Sequence, residues 1–155
     1  MASMPTPLGM LGLRSNPDGL CEVGLLADDA PTCRPTDPLL LETMRRVEAY
    51  FAGATADFSD LPLAPEGTAF QHRVWAALRA IAPGHTRRYG ELAAELGTAP
   101  RAIGGACRAN PLLLVVPCHR VVASGGDGGF MGAAHGPWPQ RKQQLLAHEQ
   151  KHFRA

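Results

Sequence analysis

Apolar positions at the start of the chain follow the pattern of a β-hairpin. Two short apolar runs, 8–13 and 20–26, flank Ser15-Asn-Pro-Asp-Gly19, whose residue types favour a tight turn. The segment 57–63 predicts a further edge strand, and Ala64-Pro-Glu-Gly67 is typical of a boundary between domains. We therefore expect a structural domain over 1–65 and a second domain over 66–155.

Between these strands, apolar residues recur at the spacing of an α-helix. Thr36 or Asp37 is a candidate N-cap before Pro38, and Gly53 follows the last apolar position of the helix. The apolar side chains that share one face are Leu40, Met44, Val47 and Phe51. The first domain is thus predicted to be a small α/β unit with a hairpin and a helix.

The second domain is predicted to be mostly helical. Thr68 can cap a helix that Pro83-Gly84 ends, and its apolar face is formed by Phe70, Val74, Trp75, Leu78 and Ile81. Two shorter helices, 89–96 and 100–108, flank the turn 97–100 in the pattern of a helix-turn-helix. Gly104-Gly105-Ala106 in the second of them predicts close approach by a neighbouring helix or by a nucleic-acid backbone.

Toward the C-terminus, an apolar run is followed by a glycine-rich stretch and a helix. The run 112–116 predicts a buried strand or extended segment, 124–130 a loop, and 141–153 a helix with Leu145 and Leu146 facing inward. The whole pattern is an α+β fold.

Composition favours a cytoplasmic protein that meets a polyanion. The chain has 155 residues and a formal net charge of +1, but residues 1–65 carry −5 and residues 66–155 carry +6. The N-terminus lacks a secretory signal, no apolar run approaches the roughly 18 residues of a membrane span, and without export the four cysteines are expected to be reduced. A solvated basic surface is the alternative explanation of the charge, and the Cys and His spacing predicts no metal site.

The most reactive residue types stand together where the apolar run breaks. Pro117-Cys-His-Arg-Val-Val122 places a thiol beside an imidazole, and a thiol is a nucleophile only as thiolate. Adjacent side chains of an extended chain diverge, so proton transfer between Cys118 and His119 requires a water or a turn at Pro117. Glu149 on the last helix is the candidate acid that orients the imidazole, whereas a buried structural cysteine is the alternative.

The string Pro117-Cys-His-Arg-Val-Val122, with the helix that ends at Asn110 before it and Leu145-Leu-Ala-His-Glu149 after it, resembles the O6-alkylguanine-DNA alkyltransferase family. The resemblance covers Gly67 to about Glu149, over half of the chain, and implies a ribonuclease H-like first domain. It also implies direct repair of DNA without a cofactor. An alkylated guanine is flipped out of the duplex and gives its O6-alkyl group irreversibly to a cysteine, and the protein is expected to act as a monomer.

The resemblance assigns roles to individual residues of the pocket. Cys118 is the alkyl acceptor, expected to be ionised, His119 deprotonates it through a water, Glu149 holds the imidazole, and Tyr89 assists protonation of the leaving guanine at N3. The guanine is bound by main-chain groups at Cys118, Val121 and Met131, beside the ring of Phe130.

A second set of residues is expected to face double-stranded DNA in the minor groove. Arg101 is the finger that fills the gap left by the flipped nucleotide, and Arg108 lies at the other end of the same helix. Ala102 and Gly105 keep the helix surface small enough to enter the groove. Asn110 ties the helix-turn-helix to the active-site segment.

Some positions depart from the family pattern and leave other functions open. Cys107 is uncommon in the family and is either a second thiol near the pocket or an inert filler, and Phe130-Met-Gly-Ala133 lacks the usual tyrosine. A longer path through Ala134–Gln140 is expected to be a stiff loop. The rival functions are a module that binds alkylated DNA without accepting the group, and a cysteine hydrolase acting on an acyl substrate.

Overall fold

The computed structural model describes residues 1–123 and 137–153, with the backbone alone at Pro137 and Trp138. The chain divides into two compact units. The first contains Met1–Glu66 and Pro111–Val115, and the second contains Gly67–Asn110 and Val116–Ala155. A small antiparallel sheet in the first unit and a mainly helical second unit confirm the predicted α+β class.

The sheet of the first unit has three antiparallel strands in the order β1 (Ala2–Thr6), β2 (Gly9–Asn16) and β3 (Gly19–Leu25). The hairpin of β2 and β3 is the predicted one. A bulge between Arg14 and Ser15 precedes its turn. Gly19 has φ 151°, and a Cβ there would lie 2.6 Å from the carbonyl oxygen of Pro62, so the close approach of this segment requires glycine.

Strand β1 has no counterpart in the sequence analysis. Pro5 and Pro7 obscure it, because proline lacks the N–H that a strand donates to its neighbour. β1 pairs only with β2 inside the sheet and is an edge strand, the position at which a proline is tolerated.

Helix α1 (Pro38–Phe51) begins as predicted and supplies much of this unit's core. The side chain of Asp37 accepts a hydrogen bond from the backbone N–H of Leu39, which identifies Asp37 rather than Thr36 as the N-cap. Side chains of the unit that are less than 2% exposed include Leu11, Leu13, Leu20, Leu40, Val47, Tyr50 and Leu112.

Two predicted strands of this unit are wrong. The segment 57–63 forms turns and contributes only an isolated bridge between Leu63 and Leu20. The run 112–116 is a buried turn, with Leu112 bridged to Val23 and Leu114 at φ 73°. Five consecutive apolar residues indicate burial, but they show no alternation of apolar and polar positions. They therefore do not distinguish a strand from a turn packed into the core.

The second unit begins with three helices that match the prediction, α2 (Ala69–Arg79), α3 (Tyr89–Leu96) and α4 (Pro100–Arg108). Thr68 and Gln71 form the capping box of α2. Gly97 ends α3 in the left-handed conformation at φ 69°, which turns the chain into α4 and completes the helix-turn-helix. Trp75 on α2 donates from Nε1 to the carbonyl of Ala106, 2.9 Å away, and so fixes α4.

The last helix, α5 (Pro137–His152), begins earlier than predicted. The expectation of a stiff loop through Ala134–Gln140 is therefore wrong for its second half, because prolines are accepted in the first turn of a helix, where the backbone N–H has no partner within the helix. Two parallel two-residue strands, β4 (Arg87–Arg88) and β5 (Val121–Val122), complete the unit. No helix in the described ranges is long and apolar enough to cross a bilayer.

Candidate functional site

A short 3₁₀ turn, Cys118–Arg120, carries the thiol and the imidazole. Pro117 precedes it, and the turn is closed by the N–H of Arg120, which donates to the Pro117 carbonyl at 3.0 Å. The side chains of Cys118, His119 and Arg120 are 3%, 0% and 5% exposed. The break at Pro117 thus produces a tight turn, so the divergence of neighbouring side chains on an extended strand does not apply here.

His119 and Arg120 converge on one carboxylate of α5. His119 Nε2 lies 2.7 Å from Glu149 Oε2. Arg120 donates to both oxygens of Glu149, from Nε at 2.8 Å and from Nη2 at 2.9 Å, and its Nη1 donates to the carbonyl of Ile81 at 2.7 Å. The predicted contact between His119 and Glu149 therefore exists, within a larger buried network.

The environment of these groups sets their protonation. Burial lowers the pKa of His119 despite the opposing effect of Glu149, so the imidazole is neutral. Burial opposes ionisation of Glu149, but its hydrogen bonds to His119 and Arg120 outweigh burial and hold its pKa below the usual range. A carboxylate only accepts, so Nε2 of His119 carries the proton and Nδ1 has the free lone pair.

Nδ1 of His119 is buried and has no hydrogen-bond partner among the described residues. A buried ring nitrogen without a partner is costly, and such atoms usually bind water. The tautomer set by Glu149 makes this nitrogen a proton acceptor. It therefore has the state required of a general base.

The burial of Cys118 disfavours the charged thiolate form of its side chain. Burial raises the pKa of its thiol to about 11, although a hydrogen bond with Asn110 and the charge of Lys142 both act in the opposite direction. The resemblance implies an ionised sulfur, whereas burial favours the protonated thiol here. Because only a thiolate is a nucleophile, Cys118 would have to lose this proton in order to accept an alkyl group.

Tyr89 and Asn110 lie in the same unit as the thiol. Tyr89 begins α3 and is half-buried, and burial, together with Cys107 and Cys118, raises its pKa to about 12. Asn110 follows α4, is 4% exposed and donates from Nδ2 to the carbonyl of Val116 at 2.9 Å. It thereby joins the end of the helix-turn-helix to the segment that leads into Cys118.

The residues expected to face DNA are distributed over α4. Arg101 and Arg108 are exposed, and Ala102 and Gly105 are half-buried. A Cβ built on Gly105 would meet no atom of the described chain within 4 Å, and the same holds for Gly104. The space beside the two glycines is thus open within the described ranges, whereas the neighbouring Ala106 is buried and approached by Trp75 of α2.

The residues expected to contact the guanine are only partly described. Val121 is fully buried in β5, and its carbonyl accepts a hydrogen bond from Lys142 Nζ at 2.7 Å. Phe130 and Met131 lie outside the described residues. Within the described ranges, no three His, Cys, Asp or Glu side chains are grouped as ligands of a metal ion.

Comparison with known proteins agrees with this arrangement. Family models described as the ribonuclease-like domain and the DNA binding domain of 6-O-methylguanine DNA methyltransferase match residues 1–65 and 69–151. A methylated-DNA–protein-cysteine methyltransferase of Methanosarcina acetivorans is 40% identical over 87% of this chain and 89% of its own length. The chain belongs to the O6-alkylguanine-DNA alkyltransferase family.

Two further family members extend the comparison. A protein of Thermus thermophilus named DNA base-flipping protein is 42% identical over 83% of this chain and 88% of its own length. A crystal structure of Mycobacterium tuberculosis OGT in complex with DNA has a TM-score of 0.79 and 35% identity, covering 99% of this chain and 94% of its own.

Two buried cations of this alkyltransferase family member were missed by sequence reasoning. Arg120 interrupts an apolar run between Pro117 and Val122, and a charge in a buried run requires a partner. Lys142, Leu145 and Glu149 are spaced three and four residues apart and so share one face of α5. Because Leu145 was expected to face inward, the same spacing indicated a buried Lys142.

Proposed function

We propose that this chain repairs O6-alkylguanine in double-stranded DNA by transferring the alkyl group irreversibly to Cys118. The observation that carries the proposal is the position of Cys118 next to a neutral His119, whose other ring nitrogen is held by Glu149 at 2.7 Å. The activity is that of a methylated-DNA–protein-cysteine S-methyltransferase. Each molecule acts once, because a thioether has no leaving group that water can displace.

The chemistry follows from the protonation states. A water passes the proton of Cys118 to Nδ1 of His119, and Glu149 stabilises the imidazolium that forms. The sulfur attacks the alkyl carbon, the bond from that carbon to O6 breaks, and its electron pair returns to the purine. Tyr89 donates a proton to N3 of the leaving guanine and regains one from water, while the imidazolium of His119 releases the proton of Cys118 to water, so that the protons balance. Because the pKa of Tyr89 is raised to about 12, its hydroxyl keeps the proton until the base requires it.

Base flipping is required because O6 in a stacked base pair cannot face a buried thiol. Arg101 at the start of α4 is exposed and fills the space that the nucleotide leaves. The small surface at Ala102 and Gly105 allows α4 to enter the minor groove, and Arg108 binds backbone phosphate. Main-chain groups at Cys118, Val121 and Met131 hold the guanine beside Phe130.

We further infer that the two parts of the chain have different functions. Residues 66–155 bind DNA and accept the alkyl group, while residues 1–65 form a structural domain. The protein acts as a cytoplasmic monomer and without a cofactor, since the transfer needs neither a metal ion nor a second protein chain.

A module that only binds alkylated DNA is the second candidate. The Thermus relative named DNA base-flipping protein favours it. Such a module needs no reactive thiol, whereas this chain has Cys118 directly before His119, whose imidazole is held by Glu149. A cysteine hydrolase is a poorer candidate, because it needs neither an exposed Arg101 nor a glycine surface open to a partner.

The deciding experiment measures, by mass spectrometry, the mass of the peptide that contains Cys118 after incubation with a duplex carrying O6-methylguanine. Trypsin cuts after Arg108 and Arg120, so the thiols of Cys107 and Cys118 lie on different peptides. We expect one methyl group per protein on the peptide 109–120 and none in Cys118→Ser. Duplex binding without methyl gain would favour the binding module, and repeated turnover on an activated ester would favour the hydrolase.

A further inference from the structure

Lys142 is a buried cation that the mechanism above does not use. It lies in α5, one turn before Leu145, and its side chain is 0% exposed. Removing an ammonium group from water is costly unless hydrogen bonds and nearby charge compensate. A lysine in such a position therefore has contacts that matter to the site or to the fold.

Lys142 contacts two residues of the candidate pocket. Its Nζ donates to the carbonyl of Val121 at 2.7 Å and lies 5.8 Å from the centre of the Tyr89 ring. The second distance falls within the range of a cation–π interaction. The ammonium thus links three elements, α5, β5 and α3.

Within the described ranges, titratable groups on three elements face this charge. They are Tyr89 on α3, Cys107 on α4, and Cys118 and His119 on the 3₁₀ turn. The charge of Lys142 lowers the pKa of both thiols and also disfavours protonation of His119. When Cys118 loses its proton, Lys142 provides positive charge for the thiolate.

Arginine is the prevalent cation of this chain, which makes lysine at this position informative. Of 15 basic residues only Lys142 and Lys151 are lysines. Arg120, the other buried cation, binds both oxygens of a carboxylate, a geometry suited to guanidinium. Lys142 donates to the carbonyl oxygen of Val121, and a compact ammonium concentrates its charge at one point.

We propose that Lys142 is a positioning residue of the alkyl-transfer site. Its ammonium fixes the Val121 carbonyl and the Tyr89 ring, and it supplies the positive charge that stabilises the sulfur anion during transfer. The assignment of alkyl transfer rests on the proposed function, but the electrostatic effect on Cys118 does not. The two are therefore tested separately.

The test compares an anionic and a neutral thiol reagent of similar size on the same sulfur. A positive charge beside Cys118 favours iodoacetate over iodoacetamide, whereas a purely structural lysine changes access for both reagents alike. Rates are read from the tryptic peptide 109–120, which contains Cys118 and no other thiol. Lys142→Met removes the charge and keeps the length, and Lys151→Met, at an exposed position of the same helix, is the matched control.

We expect Lys142→Met to slow both reagents at pH 8 by about tenfold or more, since a lost neighbouring charge changes a thiol pKa by about one unit or more. The iodoacetate rate should fall further than the iodoacetamide rate. Lys151→Met should leave both rates and their ratio unchanged. Equal slowing of both reagents in Lys142→Met, or no slowing, would overturn the proposal.

A second measurement covers the case in which Lys142→Met does not fold. In the unaltered protein, the ratio of the iodoacetate rate to the iodoacetamide rate at Cys118 is compared between the native and the urea-unfolded chain. We expect the native ratio to be several-fold higher, and equal ratios would refute the role of Lys142. If the protein accepts no methyl group from O6-methylguanine, the proposed function fails, while the reagent ratio still decides this inference.

Discussion

His119 Nε2 lies 2.7 Å from Glu149 Oε2, and both side chains are completely buried. The contact fixes which nitrogen of the imidazole carries hydrogen and leaves the other with a free lone pair, which in the proposed reaction accepts the Cys118 proton. Arg120 prevents Glu149 from taking that hydrogen itself, because two hydrogen bonds from the guanidinium hold the carboxylate in its charged form. The network therefore stabilises one protonation pattern.

Glu149→Gln should impair chemistry and stability together. The amide cannot balance the buried Arg120, and breaking a buried ion pair typically costs about 3–5 kcal/mol of unfolding free energy. It also no longer stabilises a protonated His119, so we expect the reaction with free O6-benzylguanine to slow by about a hundredfold, within the range of general base catalysis. Single-turnover rates and urea unfolding measure the two effects.

The control for that variant is Glu95→Gln, which removes an exposed partner of Arg87 in the same unit. An exposed pair contributes about 1 kcal/mol or less, so stability and rate should stay close to those of the unaltered protein. A normal reaction rate in a folded Glu149→Gln protein would show that Glu149 does not support His119.

The helices of the second unit were predictable because their ends and faces are marked locally. Thr68 with Gln71, Gly97 and Pro100 identify starts and stops, and these helices were placed correctly from the sequence. The segment 112–116 was not predictable in the same way. Its burial follows from composition, but the turn at Leu114 depends on hydrogen bonds to Val23, which is distant in sequence.

The same distinction between local and long-range information applies to the site. Cys118, His119 and Glu149 were found from the chemistry of residue types and from a motif. The raised pKa of Cys118 was not predictable, since it depends on how completely the 3₁₀ turn is buried. Arg120 and Lys142 were missed because a charged residue near apolar positions is usually exposed, and only the fold places their partners within reach.

Alkaline pH should destabilise the protein through its buried thiols. Burial raises the pKa of Cys118 from 9.0 to about 11 and that of Cys107 to about 12. Above pH 9 the unfolded chain releases these protons while the folded chain retains them, so unfolding becomes more favourable as pH rises. We expect the two thiols together to lower the unfolding free energy by about 2.5 kcal/mol between pH 8 and pH 10.

Urea unfolding under reducing conditions at both pH values measures this loss. Cys107→Ser should reduce the pH-dependent part, whatever its effect on stability at pH 8, and Cys33→Ser at an exposed position should not. An unfolding free energy that stays constant to pH 10 would mean that the thiols are not protonated in the folded state.

Arg101→Ala should separate base flipping from chemistry. Arg101 is exposed at the start of α4 and takes no part in the network around Glu149, so its removal should leave the fold intact. We expect the reaction with free O6-benzylguanine to be unchanged and methyl transfer from a duplex to slow by about tenfold or more. Without Arg101, nothing compensates the free energy of stacking that is lost when the base flips out. Equal slowing on both substrates would assign Arg101 to the chemical step.

Duplex binding should weaken steeply with salt. In a plot of the logarithm of affinity against the logarithm of salt concentration, each phosphate that the protein neutralises contributes about −0.9 to the slope. With about four such contacts, the affinity falls roughly a hundredfold between 50 and 200 mM salt. Arg108→Ala should reduce that slope by about one unit, because Arg108 is exposed at the end of α4. Arg45→Ala, at an exposed position of α1 in the acidic first unit, should leave the slope unchanged. Fluorescence anisotropy with a labelled duplex gives these slopes, and salt-independent affinity would argue against docking through α4.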